Sequence, residues 1–275
     1  DHLMDSRNII SCSSADHVTT LGRIRLTSTP RDATLRTVFD PALAAAAHGH
    51  ITQVDTFTDL FRAHYESHTT VAETFTEFTV GLGVAEGCDG EIIAFDNTVW
   101  QVRADGYPVI AEPTLGLPFA VVAQGGLALD TPVPSGSAMD DVSALITEIL
   151  TEGGSPAHDL VAAVRIDGVF TDVVLRSEHK QAEPYPPLAE VLSEEVRFEF
   201  DSWEGTLVGF RFPNDDNGIT IPGLHLHGVS TGRDSGGHCH QFTVAHATLT
   251  VWLDDVEVTL PHEGLADAVR EHFSP

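Results

Sequence analysis

The chain has 275 residues, with 41 Asp or Glu against 14 Lys or Arg, and so a formal charge of −27 at pH 7. That length can bury a full core in one large domain or two modest ones, and that charge repels phosphate backbones and anionic bilayers, which argues against nucleic-acid and membrane partners. An anionic small-molecule substrate meets the same field and needs a cation inside its own site.

Residues 1–30 are polar, lack a clear period and end in Thr29-Pro30, which predicts a flexible arm. Ala42 to Ala47 reads as helical, and His48-Gly49-His50 after it as a cap region rather than a ligand pair. Thr58 to His64 suggests a short helix opening at Asp59. From Glu77 the pattern changes to strands, FTVGLGVA, EIIAFDN and VWQVRADG, broken at Asp89-Gly90 and Asp96-Asn97 in the manner of a β-meander. Glu91 starts the second of these strands, where a carboxylate can project into a cleft or lie solvated at a sheet edge. Leu117 to Val122 adds a buried strand. After the TPVPSGSAMDD linker, Val142 to Leu150 has the period of an amphipathic helix.

VAAVRIDGVFTDVVLR is expected to turn back as a hairpin across Asp167-Gly168, with Arg176 at its far end. Tyr185-Pro186-Pro187 breaks the chain, and Leu188 to Leu192 is short and helical. Val196 to Phe200, Gly205 to Arg211, a pair within Asn217 to His240, Thr243 to Leu253 and Val256 to Leu260 read as strands, and Leu265 to Phe273 as a final helix. Strands outnumber helices and tight turns join most of them, so the fold class is α+β, two-domain, with largely antiparallel or mixed β-sheets and few short helices. The expected division is the arm at 1–30, an N-terminal α/β domain at 31–155, and a β-rich C-terminal domain at 156–275 that carries the site.

The cysteines, Cys12, Cys88 and Cys239, are widely spaced and odd in number, which implies no disulfide framework. No apolar run reaches the length of a membrane span, and the N-terminus lacks the pattern of a signal peptide. A cytoplasmic protein is expected, unless the N-terminus has already been processed for secretion.

The stretch NGITIPGLHLHGVSTGRDSGGHCH, Asn217 to His240, concentrates histidines between short apolar runs and turns. On a strand, the period of two puts His225 and His227 on one face and Leu226 on the other. The Gly-rich segment after them lets the chain fold back and deliver His238 from the neighbouring strand. Three imidazoles suit zinc, or Mn, Fe, Co or Ni, and leave positions open for substrate. His240 alternates with His238 and competes for the third place, and ordinary surface histidines are the plain alternative.

The blocks GLGVAEGCDGEIIAFDNTVWQV (81–102), AVRIDGVFTDVVLRSEHKQAEPYPPL (163–188) and FEFDSWEGTLVGFRFPNDDNGITIPGLHLHGVSTGRDSGGH (198–238) resemble alpha-acetolactate decarboxylase. The resemblance implies a two-domain α/β protein whose zinc is held by His225, His227 and His238. It places the active-site glutamate at Glu91, the active-site arginine at Arg176, and a second glutamate in the C-terminal helix, where Glu271 is the candidate and Phe273 competes for the position. Val84 stands where the family has a threonine, and His240 where an apolar residue is usual. The implied activity is decarboxylation of 2-acetolactate to acetoin and CO2 through an enediolate held on the metal, with a small 2-hydroxy-3-oxo acid as partner and a homodimer as the expected assembly.

Three other readings compete. A cupin-like metal oxygenase also uses H-x-H on a strand but needs a glutamate three or four residues on, where this chain has Ser230 and Thr231. A Schiff-base decarboxylase would need Lys180, the only lysine. A non-catalytic metal module would close its site with His240 or Cys239 as the fourth ligand.

Overall fold

The structure, a computed structural model, describes residues 18–24, 49–126, 128–152, 161–213 and 218–261. Its strands are β1 (Val18–Ile24), β2 (Gly49–Val54), β3 (Thr69–Thr70), β4 (Val80–Val84), β5 (Glu91–Phe95), β6 (Thr98–Val102), β7 (Pro108–Ile110), β8 (Gly116–Leu117), β9 (Phe119–Gln124), β10 (Ala128–Val133), β11 (Ala162–Ser177), β12 (Val196–Phe212), β13 (Gly223–Ser230) and β14 (Gly236–Pro261). Among them lie α1 (Phe57–Phe61), α2 (Val71–Thr74), α3 (Met139–Glu152) and α4 (Leu188–Ser193). The fold is α+β and mostly sheet, and among the described residues every pairing is antiparallel except that of β14 with β2. No helix among them is long and apolar enough to cross a membrane.

Twelve strands join one sheet, running β11-β12-β13-β14-β2-β9-β4-β5-β6-β7, with β1 and β10 paired to β14 off that path. β11 pairs with both β12 and β14, β12 with β13, and β13 with β14, so these four close on themselves. Period two then sorts their side chains between two cores. Val208, Phe210, Phe212 and Val229 pack with Leu82, Val84, Ile93 and Phe95 of the meander. Leu207, Leu226, Val164 and Ile166 pack on the other side with Val142, Ile146 and Leu150, which recur every four residues along one stripe of α3.

Several local expectations are corrected. The hairpin across Asp167-Gly168 does not form: β11 runs straight through, with Asp167 opposite Thr206 on one side and Thr248 on the other. Gly168 is there for close approach rather than for a turn, since a Cβ would stand 2.3 Å from the His246 carbonyl oxygen. The two strands read in 196–211 are one, β12, and those read in 243–260 belong to β14. Gly49 and His50 begin β2 rather than capping a helix. The helix near residue 58 opens earlier than expected, because Thr56 accepts the backbone N–H of Asp59 and caps it. The helices read at 42–47 and 265–273 lie outside the described residues.

Candidate active site

Register builds the site. Arg176 of β11 pairs with His238 of β14, which pairs with His227 of β13, so the three side chains form a row across adjacent strands. His225 precedes His227 by two residues and shares its face. Gly209 on β12 makes the close packing behind this face feasible, because a Cβ there would stand 1.9 Å from the His225 carbonyl oxygen. Glu91, first residue of β5, enters from the meander opposite, where β5 and β13 are tied by a hydrogen bond from His227 Nδ1 to the Ile92 carbonyl at 3.0 Å.

That bond fixes a tautomer. A carbonyl only accepts, so Nδ1 of His227 carries the proton and Nε2 presents its lone pair inward. His227 Nε2 stands 3.0 Å from His225 Nε2, which is 3.1 Å from His238 Nδ1. A tetrahedral ion with bonds of about 2.0–2.1 Å would need nitrogens about 3.3 Å apart. The triad is therefore close to the geometry that could hold a metal ion. Burial keeps all three rings neutral: it pushes His227 down to about 3 and the other two well below the usual histidine range, with Arg176 adding to each shift. Neutral imidazole is the ligand form.

Around Arg176 the charges run the other way. Nη1 donates to Glu91 Oε1 at 2.6 Å and to Glu178 Oε2 at 2.8 Å, and Nε lies 3.2 Å from Glu195 Oε2. Glu91 Oε2 also approaches His227 Nε2 at 3.3 Å. Burial pushes Glu91 up from the ordinary carboxylate range although Arg176 opposes it. Burial and the neighbouring Glu91 raise Glu178 further. One guanidinium facing three carboxyls would leave two negative charges if all were ionised. A divalent cation at the triad would balance them, so the charge of the donor set also fits a metal.

These groups line one end of a cavity of about 270 Å³, whose remaining wall is apolar, with Leu60, Leu82, Val84, Phe119, Leu188 and Ile221. The structure thus brings together His225, His227, His238, Arg176 and Glu91. Glu271 lies outside the described residues. His240 borders the cavity but turns its Nε2 to Glu195 Oε1 at 2.9 Å, and Cys239 is buried on the opposite side with its thiol 3.7 Å from the Gln241 carbonyl. Lys180 is exposed and is not part of the cavity wall. Glu178 was missed in the sequence: it stands two residues after Arg176 but one past the end of β11, where strand period no longer assigns a side. Glu195, between α4 and β12, carried no signal either.

Fold and site together define a β-rich enzyme with a triad of neutral histidines beside an arginine–carboxylate cluster. The alpha-acetolactate decarboxylase family model matches residues 51–265. The Klebsiella aerogenes alpha-acetolactate decarboxylase is 34% identical over 204 residues, 73% of this chain and 75% of that protein. That of Methanosarcina mazei is 33% identical over 72% of this chain and 67% of its own length. The crystal structure of acetolactate decarboxylase from Bacillus subtilis subspecies spizizenii superposes with a TM-score of 0.71 at 30% identity, covering 77% of this chain and 90% of that one. The chain belongs to the alpha-acetolactate decarboxylase family, and it is a decarboxylase whose substrate is a small molecule.

Proposed function

We propose that the chain converts 2-acetolactate to acetoin and CO2 at a divalent transition metal held by His225, His227 and His238, with zinc the ion that the family resemblance implies and that three nitrogen donors suit. The observation that carries this reading is the convergence of three inward-facing neutral nitrogens beside Arg176 and Glu91 in one cavity. A metal held there supplies Lewis acidity to the hydroxyl and ketone oxygens of the substrate.

The substrate carries its carboxylate on a carbon that bears a hydroxyl and adjoins a ketone. When the bond to CO2 breaks, its electron pair flows into the neighbouring carbonyl and leaves an enediolate, so no organic electron sink is required. Arg176, cationic and buried, orients the departing carboxylate and balances the oxygen charge that replaces it. Glu91, held protonated more readily than an ordinary carboxylate by its burial, delivers a proton to the carbon that lost CO2. Delivery from one face sets the handedness of acetoin. Glu271 stays in the proposal as the second acid from the C-terminal segment, and a homodimer as the assembly, read by light scattering.

Two alternatives lose support. The turn of His240 toward Glu195 and the opposite face of Cys239 disfavour a closed four-ligand module. Exposure of Lys180 outside the cavity disfavours a Schiff base. Elemental analysis coupled to acetoin release before and after chelation tests the reading. Activity lost to chelator and restored by zinc supports it; acetoin release by metal-free protein overturns it.

A further inference from the structure

Glu195 sits between the end of α4 and the start of β12, yet its side chain is only 7% exposed and lines the same cavity as the triad. Three groups meet its carboxylate. Oε1 accepts from Arg197 Nε at 2.7 Å and stands 2.9 Å from His240 Nε2, while Oε2 stands 3.2 Å from Arg176 Nε. The contact to Arg176 is off the N–H axis, because that buried Nε–H makes no hydrogen bond. The guanidinium is therefore held by hydrogen bonds at Nη1, to Glu91 and Glu178, and at Nε by its ion pair with Glu195 alone.

The group facing the Nε edge is itself held from the solvent side. Arg197 has a 60% exposed side chain and His240 a 35% exposed one. Both line an outer cleft of about 690 Å³, and His240 borders this cleft and the inner cavity alike. A chain of contacts thus runs from solvent through Arg197 and His240 to Glu195 and on to Arg176. A carboxylate at this nitrogen gains Coulomb energy from the guanidinium, and it also bears on the Nε edge that the hydrogen bonds of Arg176 leave unheld. One that steers this arginine has to lie there.

We propose that Glu195 is a positioning residue for the decarboxylation: clasped by Arg197 and His240, it fixes the Nε edge of Arg176 and hence the orientation in which the guanidinium meets the substrate carboxylate. This rests on the reading of Arg176 as the partner of the anion. Without Glu195 the guanidinium keeps its hold at Nη1 but swings about it, and misplacement of an orienting group by about an ångström costs up to about 100-fold.

The test combines steady-state kinetics on the metal-loaded enzyme with calorimetric titration of 2-hydroxyisobutyrate, a 2-hydroxy acid that cannot decarboxylate by this route. Glu195→Ala is expected to raise KM and weaken the analogue, each about tenfold, with kcat lowered and metal content unchanged. In Glu195→Gln the amide oxygen can still stand against the Nε edge of Arg176 and accept from Arg197, so most of the loss is recovered. His240→Ala, on the solvent side, gives a smaller loss by itself and none in the Glu195→Ala background, the signature of one residue acting through another. Should Glu195→Ala fail to fold, His240→Ala and Arg197→Ala carry the same readouts. Wild-type KM and analogue affinity in these variants, a fall in kcat alone, or full additivity of His240→Ala with Glu195→Ala would each overturn the proposal. Arg176→Ala separates the two levels. If it behaves as wild type, the reading of Arg176 itself fails; if it is impaired while the Glu195 variants are not, only the clasp fails.

Discussion

Replacing Arg176 by Met exchanges the guanidinium for an apolar chain of comparable reach and leaves Glu91 and Glu178, each 3% exposed, without the donors that meet them at 2.6 and 2.8 Å. At an effective dielectric of about 20, each pair is worth about 4 kcal/mol with charge centres 4 Å apart. Much of that offsets the desolvation of the partners, so breaking the cluster is expected to cost about 3–5 kcal/mol net. At about 2–4 °C per kcal/mol for a chain of this size, the Tm at pH 8 should fall by on the order of 10 °C.

The pH dependence follows from the direction of the carboxyl shifts. Burial already holds Glu91 and Glu178 above their unfolded value of 4.5, and Arg176 is a charge that opposes this, so its loss raises both further. A carboxyl whose folded value exceeds its unfolded one binds more protons when folded, and stability then falls as pH rises through the window between the two. Below the unfolded value both states are protonated and the titration cost is absent. The gap in Tm between wild type and variant should therefore be narrow near pH 5 and widest at pH 8. The triad histidines have lowered folded values and act with the opposite sign, but chiefly through burial, which the variant keeps, so they largely cancel in the difference. Thermal unfolding of chelated wild type and variant, followed by circular dichroism from pH 5 to 8, measures the gap. An unchanged Tm at pH 8, or a gap that widens on acidification, would refute the argument.

Three other substitutions probe the site from different sides. His227→Ala should reduce bound metal to background by elemental analysis and abolish acetoin release while the fold is retained, at about 1–3 kcal/mol for the orphaned Ile92 carbonyl; full activity would remove His227 from the ligand set. Glu91→Gln keeps the shape but cannot carry a proton, so kcat should fall by about 100-fold or more with metal still bound; a loss of metal instead would make Glu91 a ligand rather than a proton donor. Gly209→Ala drives a methyl group into the His225 carbonyl, a rigid backbone contact at 1.9 Å, so β12 must withdraw from β13. The expected cost is about 1–3 kcal/mol in chemical unfolding, with weaker metal binding as His225 shifts, and a variant as stable as wild type with full metal would contradict the packing described.

How much of this was legible in the sequence depends on the range of the signal. His225 and His227 needed only the period of a strand, and the turn residues after them announced a third histidine from the next strand, but the choice of His238 over His240 came from the resemblance. Glu91 and Arg176 were placed by resemblance, because nothing near either residue in the chain tells that β5 faces β13 or that Arg176 lies opposite His238. Asp167-Gly168 misled because the pair that opens a tight turn also suits a crowded strand: what decides is the His246 carbonyl 2.3 Å from the missing Cβ, a contact made 78 residues further along the chain. Glu195 was illegible for the same reason, since its neighbours in sequence are helix end and strand start and its partners come from β11, β12 and β14.

The cluster around position 176 also explains why an arginine rather than a lysine stands there. An ammonium is a compact charge on a flexible stem, and three carboxyls would gather round it on equal terms. The planar guanidinium sorts them: Nη1 serves Glu91 and Glu178, Nε faces Glu195, and the charge stays delocalised over one rigid group lining the cavity. In a chain of net charge −27 the long-range field opposes an incoming anion, but beyond about 8 Å in physiological salt that field is largely screened. If Arg176 meets the substrate as proposed, recognition is left to what lies inside the cavity, where the orientation of that one cation among its carboxylates sets how an anion is met.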